Sequence, residues 1–286
     1  MVPLQVVLPL SQLTLQGYQT RPDAKATIVA FHGWLDNCFS FLPLSKELPD
    51  INVIAFDWPG HGDSQALPPG SSYDFHLYLM WIHELLEVLK LDHVNLLGHS
   101  MGAVAASLYA GAFSEGLASL ILIEGLGPFS VPEVETPAKM RNFIQGWSRH
   151  TTLRNGLFPS WEEAIKARQK AGRLSYESAE LLAQRGAAER DEGQGSGVMW
   201  KHDTRHKLPS RFQYSEAQTL AFLGAISCPT LFIEASDSIL TDRSLLSPRV
   251  AAVFHLQHVH LTGGHHLHME EPRRVAQSIE TFLKNQ

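Results

Sequence analysis

Gly98-His99-Ser100-Met101-Gly102 reads Gly-x-Ser-x-Gly, and the fold of this sequence follows from the residues that surround it. A short apolar run at 94–97 is typical of a buried strand, and a run of helix-forming residues at 103–110 comes directly after the motif. The pattern predicts a strand, a sharp turn and a helix, with the Ser100 hydroxyl projecting above the strand end. The two glycines remove Cβ atoms that would clash in such a turn. Because the bare motif also occurs by chance, its context carries this prediction.

The rest of the chain repeats strand and helix patterns. Partial alternation at 4–18 predicts an antiparallel pair at a sheet edge, and apolar residues spaced by three and four at 73–90 predict an amphipathic helix. Further strands are predicted at residues 27–31, 52–56, 117–123, 229–234 and 253–261. A last helix is predicted at 272–284. This order indicates a mostly parallel α/β sheet with right-handed crossovers.

Residues 127–225 interrupt this order with helical periodicity and without a convincing strand. Because a structureless loop of this length is implausible in a compact domain, we predict a helical cap, or lid, inserted into a core formed by 1–126 and 226–286. Pro128, Pro132 and the Gly-rich stretch 193–197 are candidate hinges. Core packing is the default for the large apolar residues of the insertion, but some could line an acyl pocket: Phe143, Trp147, Leu157, Phe158 and Trp161.

The charge of the chain is unevenly distributed. The 286 residues carry a net charge of −6, yet residues 139–211 contain 14 Lys and Arg against 8 Asp and Glu. Such a basic segment could face an anionic substrate or a membrane surface, although solvated helix faces explain it more simply. The acidic remainder and the lack of any nucleic-acid-binding motif argue against a nucleic-acid partner.

Several further observations bear on the cellular location. No stretch of 18 or more apolar residues occurs, and the first residues lack a basic segment followed by an apolar one. Cys38 and Cys228 lie far apart and form no C-x-x-C pair, which indicates packing cysteines rather than a disulfide framework. We therefore expect a soluble cytoplasmic protein, whose oligomeric state the sequence does not define.

Ser100 needs a histidine base, and that histidine needs a carboxylate to fix its tautomer. In an open α/β sheet the functional loops lie at the carboxyl ends of the strands. Asp237 follows the strand that ends near Ala235, and His265 follows the last strand, so both are expected at the same edge as Ser100. The chain order Ser100, Asp237, His265 is that of the α/β-hydrolase triad.

The sequence resembles α/β-hydrolase-fold serine hydrolases over the whole core. Four motifs carry the resemblance: His32-Gly33, Asp57-x-x-Gly60-x-Gly62-x-Ser64, Gly98 to Gly102, and Gly264-His265 followed by Glu270-x-Pro272. The resemblance implies that the backbone N–H groups of Trp34 and Met101 form the oxyanion hole. Within the family, the stretches 32–37 and 182–186 are similar to the serine-hydrolase-like subgroup, whose substrates the resemblance does not define.

Two features leave alternatives open. Glu124 ends the strand after the serine helix, where dehalogenases of this fold carry their acid, but Asp237 is favoured because Ala235-Ser236-Asp237 follows its strand at the usual site. His258 and His260 share a strand face, yet no Cys or carboxylate lies at a ligand spacing tied to them, so we predict no metal site.

Together these features predict a hydrolase of the carboxylesterase or lipase-like class, EC 3.1.1, that needs no cofactor. Its substrate would be a small-molecule carboxylic ester, a thioester or a lysophospholipid, cleaved through an acyl-enzyme on Ser100. The alternatives are a lyase that uses the same triad without an acyl-enzyme and a non-hydrolytic binding protein, because fold does not settle function. The intact triad pattern argues against the binding protein.

Overall fold

The structure is a computed structural model that describes residues 1–191, 196–238 and 243–286. Its strands are β1 (Val2–Leu8), β2 (Leu13–Gln19), β3 (Ala26–Phe31), β4 (Ile51–Phe56), β5 (Val94–His99), β6 (Leu117–Ile123), β7 (Leu157–Phe158), β8 (Ala187–Asp191), β9 (Ser196–Trp200), β10 (Thr230–Ala235) and β11 (Leu256–Leu261). Its α-helices are α1 (Leu42–Lys46), α2 (Phe75–Leu89), α3 (Met101–Ala112), α4 (Thr136–Trp147), α5 (Trp161–Gly172), α6 (Tyr176–Gly186), α7 (Glu216–Gly224), α8 (Arg243–Ala252), α9 (Leu267–Glu270) and α10 (Pro272–Lys284). No helix of the described residues is long and apolar enough to cross a membrane.

An eight-stranded sheet organises the described chain, in the order β1-β2-β4-β3-β5-β6-β10-β11. Strand β2 runs antiparallel to both of its neighbours, β1 and β4, and the remaining pairs of this sheet are parallel. This confirms the predicted α/β-hydrolase fold and its antiparallel edge. The carboxyl ends of β3, β5, β6, β10 and β11 therefore meet at one edge.

Two apolar clusters cover the two faces of the sheet. One contains buried residues of α2, α3 and α7, and the other contains buried residues of α1 and α10. The central strands β4 and β5 are buried along their whole length, as their continuous apolar sequence predicts. A sheet covered on both faces leaves only its strand ends and their loops accessible.

The insertion, residues 127–225, differs from the prediction in two ways. It contains a small antiparallel sheet, β7-β9-β8, so the expectation of a purely helical insertion is wrong. Helix α7 packs against α3, since a Cβ added at Gly111 would meet the carbonyl of Phe222, and Leu223 joins the cluster of α2 and α3. The last part of residues 127–225 thus packs against the core helix α3. The candidate hinge residues 193–195 lie outside the described residues.

Basic residues of the insertion pair with acidic residues of the core. Among the described residues, five such pairs join the two parts: Arg168 with Asp36, Arg185 with both Asp57 and Asp63, Lys201 with Asp63, and Arg211 with Asp74. Asp36 and Asp57 are almost completely buried, so these two pairs lie inside the interface. These basic residues thus pair with the core, whereas Lys166 lies on a solvated face of α5 and pairs there with the exposed Glu162 and Glu163.

Candidate active site

The turn after β5 holds Ser100 in a strained conformation. Its φ of 51° and ψ of −116° lie where a residue with a Cβ is seldom found, and α3 begins at the next residue. The Ser100 N–H donates to the carbonyl of Ile123 at 2.9 Å, and the Ser100 carbonyl accepts from Val104 at 3.0 Å. The surrounding strand and helix therefore hold the serine at the carboxyl edge of the sheet.

The glycines of the motif are required by close backbone approach. A Cβ added at Gly102 would overlap the carbonyl oxygen of Phe31, and one added at Gly98 would overlap the backbone of Ala103. Helix α3 therefore crosses directly over the ends of β3 and β5. This geometry matches the strand, turn and helix that the sequence predicts around Ser100.

His265 lies in the loop after β11 and pairs with a buried carboxylate. Its Nδ1 is 3.1 Å from Oε2 of Glu124, whose side chain is fully buried at the end of β6. The other Glu124 oxygen accepts the N–H of Ala235 at 2.7 Å, and Oε2 also accepts the hydroxyl of Ser238 at 3.0 Å. Donation from Nδ1 to the carboxylate leaves Nε2 of His265 available to accept a proton.

Asp237 is not the partner of His265, contrary to the sequence expectation. It follows β10 and is exposed, its N–H donates to the carbonyl of Gly263 at 3.0 Å, and no hydrogen bond joins its side chain to His265 among the described residues. The physical reason is the position of β6 beside β10 in the sheet. From there the longer glutamate side chain reaches past the end of β10 to the histidine.

The loop after β3 lies beside the Ser100 turn, because Phe31 of β3 pairs with Gly98 of β5. His32 ties this loop down: its Nε2 accepts the N–H of Trp58 at 3.0 Å, which places its proton on Nδ1, 2.8 Å from the carbonyl of Gly33. The half-exposed Trp34 indole donates to the carbonyl of His206 in the insertion at 3.1 Å. Trp34 and Met101 both line the same cavity as Ser100.

A cluster of polar side chains contacts the loop that carries His265. The sequence did not reveal this cluster. Nε2 of the buried His99 donates to the backbone carbonyl of His265 at 2.9 Å. Asp36 lies 3.3 Å from Nε2 of His266 and pairs with Arg168 of α5. Burial alone would raise the pKa of Asp36, but Arg168 and His266 outweigh it and hold that pKa well below its ordinary value. The carboxylate therefore stays charged and fixes the insertion next to the histidine loop.

A cavity of about 1080 Å³ opens over these residues and is lined by Ser100, Glu124, His265 and Asp237. Its apolar wall includes Phe75, Met101, Val104, Phe129 and Phe212. Of the five apolar residues proposed for an acyl pocket, none lines this cavity; Phe143 lines a smaller adjoining one of about 470 Å³. Trp161 instead packs inside the insertion. The sequence thus predicts an apolar wall but not the residues that form it.

A family model described as the alpha/beta hydrolase fold matches residues 26–272. The chain belongs to the α/β-hydrolase family. A probable serine hydrolase of Drosophila melanogaster is 30% identical over 272 residues, which cover 90% of this chain and 80% of that protein. This similarity agrees with the serine-hydrolase-like subgroup that the sequence motifs indicate.

Solved structures of this α/β-hydrolase family are also similar. The crystal structure of a hypothetical protein from Pseudomonas aeruginosa has a TM-score of 0.92 and 31% identity, covering 99% of this chain and 100% of that one. The thioesterase domain from the curacin biosynthetic pathway has a TM-score of 0.83 and 25% identity, covering 98% of this chain and 100% of that domain. Together with the named relative, these similarities support a hydrolase.

This α/β hydrolase buries several histidines in neutral form. Burial is the chief cause that lowers the pKa of five of them below the ordinary value of 6.5: His32, His61, His99, His206 and His268. For His206 the pKa falls to about 3. In the folded chain these rings stay unprotonated at pH values where the same histidines of the unfolded chain bind a proton, which begins as the pH falls towards 6.5.

We therefore expect the free energy of unfolding to decrease as the pH falls below about 6.5, by up to about 1.4 kcal/mol per pH unit for each such ring. Urea denaturation between about pH 5 and 8 measures this dependence. His268→Leu removes a fully buried ring and should reduce the change of the free energy of unfolding with pH. His255→Leu, at an exposed position, should leave this pH dependence unchanged. An identical pH dependence for wild type and His268→Leu would contradict the assignment.

Proposed function

We propose that the protein hydrolyses a carboxylic ester by acyl transfer through Ser100. The observation that carries this proposal is the shared cavity of Ser100 and His265, with the histidine held at Nδ1 by the buried Glu124. A serine hydroxyl is a poor nucleophile until a base accepts its proton. With Nδ1 directed at the carboxylate, Nε2 of His265 is the nitrogen that can do so.

In the proposed reaction, Ser100 Oγ attacks the ester carbonyl while His265 takes the hydroxyl proton. The backbone N–H groups of Trp34 and Met101 stabilise the negative charge on the carbonyl oxygen. Collapse of this intermediate breaks the bond to the alcohol, which receives the proton from His265. A water molecule then repeats the sequence on the acyl-enzyme, releasing the acid and restoring Ser100.

We propose Glu124, rather than Asp237, as the carboxylate of this triad. The N–H of Ala235 and the hydroxyl of Ser238 both donate to Glu124, which offsets the cost of burying its charge. Its carboxylate lies at Nδ1 of His265, where it can stabilise the imidazolium that forms in each half-reaction. A carboxylate so placed both selects the tautomer and stabilises the protonated ring.

We further propose that the insertion selects the acyl group. Phe129 and Phe212 of the insertion line the cavity together with Phe75 and Val104 of the core. A pocket of this kind gains about 0.8 kcal/mol for each CH₂ group that it buries. The thioester or lysophospholipid substrates that the sequence allows would use the same attack on a carbonyl carbon.

Ser100→Ala and His265→Ala should each lower turnover of p-nitrophenyl esters by several orders of magnitude with the fold intact. Because the two residues act as one unit, the double variant should lose little more than either single one. Ester hydrolysis measures this, and intact-mass detection of an acyl adduct on the wild type separates a hydrolase from a lyase. Retained turnover in Ser100→Ala would refute the nucleophile.

Glu124→Gln should lower kcat by about 10⁴ with KM little changed, because the neutral amide no longer stabilises the imidazolium. Glutamine keeps an oxygen that can accept the N–H of Ala235, so the fold should persist. Asp237→Asn is the matched control at an exposed position and should cost less than about tenfold. If Asp237→Asn lowers kcat more than Glu124→Gln does, the triad carboxylate is Asp237 and not Glu124.

Phe212→Ala should reduce kcat/KM for an octanoyl ester by about tenfold relative to an acetyl ester, as expected when about two CH₂ groups lose their contact. Steady-state kinetics with both p-nitrophenyl esters provides the measurement. Phe254→Ala, at a residue that is 85% exposed and does not line the cavity, is the control. An unchanged ratio of the two esters in Phe212→Ala would show that the insertion does not select the acyl chain.

A further inference from the structure

A second group of chemically reactive side chains lies on the edge of the large sheet. Glu234 belongs to β10, and His258 and His260 belong to the edge strand β11. The parallel register places His260 opposite Glu234 and His258 opposite Phe232. Because alternate residues of a strand share a face, all three side chains project to the same side of the sheet.

The donor atoms of the three side chains converge. Oε2 of Glu234 lies 2.9 Å from Nε2 of His258 and 3.2 Å from Nδ1 of His260. One such atom from each residue lies within 4.8 Å of the others. Two ligands bound to one tetrahedral ion at about 2.0–2.2 Å lie about 3.4 Å apart, so the two separations from Glu234 need to lengthen only slightly for the residues to share a metal ion.

The three side chains of the cluster differ in their exposure to solvent. Glu234 is fully buried, the His258 side chain is 20% exposed and the His260 side chain is 58% exposed. The His258 ring also stacks on Phe232, with ring centroids 4.8 Å apart, which restricts its orientation. A buried carboxylate and a mostly buried imidazole therefore lie beside a third side chain, His260, that solvent reaches.

We propose that Glu234, His258 and His260 bind a divalent transition-metal ion such as Zn²⁺. Two imidazole nitrogens and one carboxylate oxygen are ligands that Zn²⁺ accepts, and solvent can fill the remaining position. Mg²⁺ and Ca²⁺ prefer all-oxygen ligands and do not suit this donor set. The sequence places His258 and His260 on one strand face but does not reveal the third ligand, because the carboxylate comes from the neighbouring strand β10 and not from a nearby position along β11.

This site is separate from the proposed chemistry. None of its three residues lines the cavity that contains Ser100 in the part of the chain that the structure describes. The ion would instead link the edge strand β11 to β10. Since an edge strand is held by one neighbour only, a shared ion should stabilise the folded chain against unfolding.

Titration of the wild-type protein with Zn²⁺ in a calorimeter at neutral pH tests the proposal. We expect one saturable site, together with a melting temperature that rises with Zn²⁺ concentration. His260→Ala should weaken this binding by about tenfold or more, since it removes one of three ligands. The same loss is expected for Glu234→Gln, but His260→Ala is the decisive variant because its exposed side chain can be removed without disturbing the core.

His255→Ala is the matched control, since His255 is exposed and lies outside the cluster. His265→Ala serves as a second control that excludes Zn²⁺ binding at the proposed catalytic histidine. Both variants should bind Zn²⁺ as the wild type does. The proposal is overturned if the wild type shows no saturable binding, or if His260→Ala binds Zn²⁺ with unchanged affinity.

Discussion

The close crossing of α3 over the ends of β3 and β5 is the contact on which the candidate site depends. Gly102 lies so near the carbonyl of Phe31 that any side chain there would overlap it. The crossing forces Ser100 into a positive φ and brings the loop with Gly33 and Trp34 beside it. A relaxed turn would lower the local strain, but it would also move the serine away from the carboxyl edge where His265 lies.

Burial sets the electrostatics around that edge. A carboxylate removed from water is stable only when donors or cations surround it. Glu124 meets this condition with the N–H of Ala235 and the hydroxyl of Ser238, and Asp36 meets it with Arg168 and His266. The two carboxylates differ in their setting, since one contacts the imidazole of His265 and the other anchors the adjacent loop to the insertion.

The insertion is held by charge as well as by apolar contact. Arg168 and Arg185 each reach a buried carboxylate of the core, and the amide of Asn37 donates to the carbonyl of Leu182 at 2.9 Å. Breaking a buried pair leaves an uncompensated charge, which is costly. These contacts therefore favour one position of the insertion over the cavity, and they account for several basic residues in a chain that is acidic overall.

Local sequence determined which segments form the strands of the large sheet, the turn at Ser100 and the position of His265, because neighbouring residues encode each of these features. It did not reveal the strands β7, β8 and β9 of the insertion. The tertiary structure decided that Glu124 and not Asp237 contacts His265, since the position of β6 beside β10 has no local signature. It also decided which aromatic residues line the cavity and brought Glu234 to His258 and His260. Each of these outcomes depends on distances between residues far apart in the chain, which packing fixes and spacing along the sequence does not.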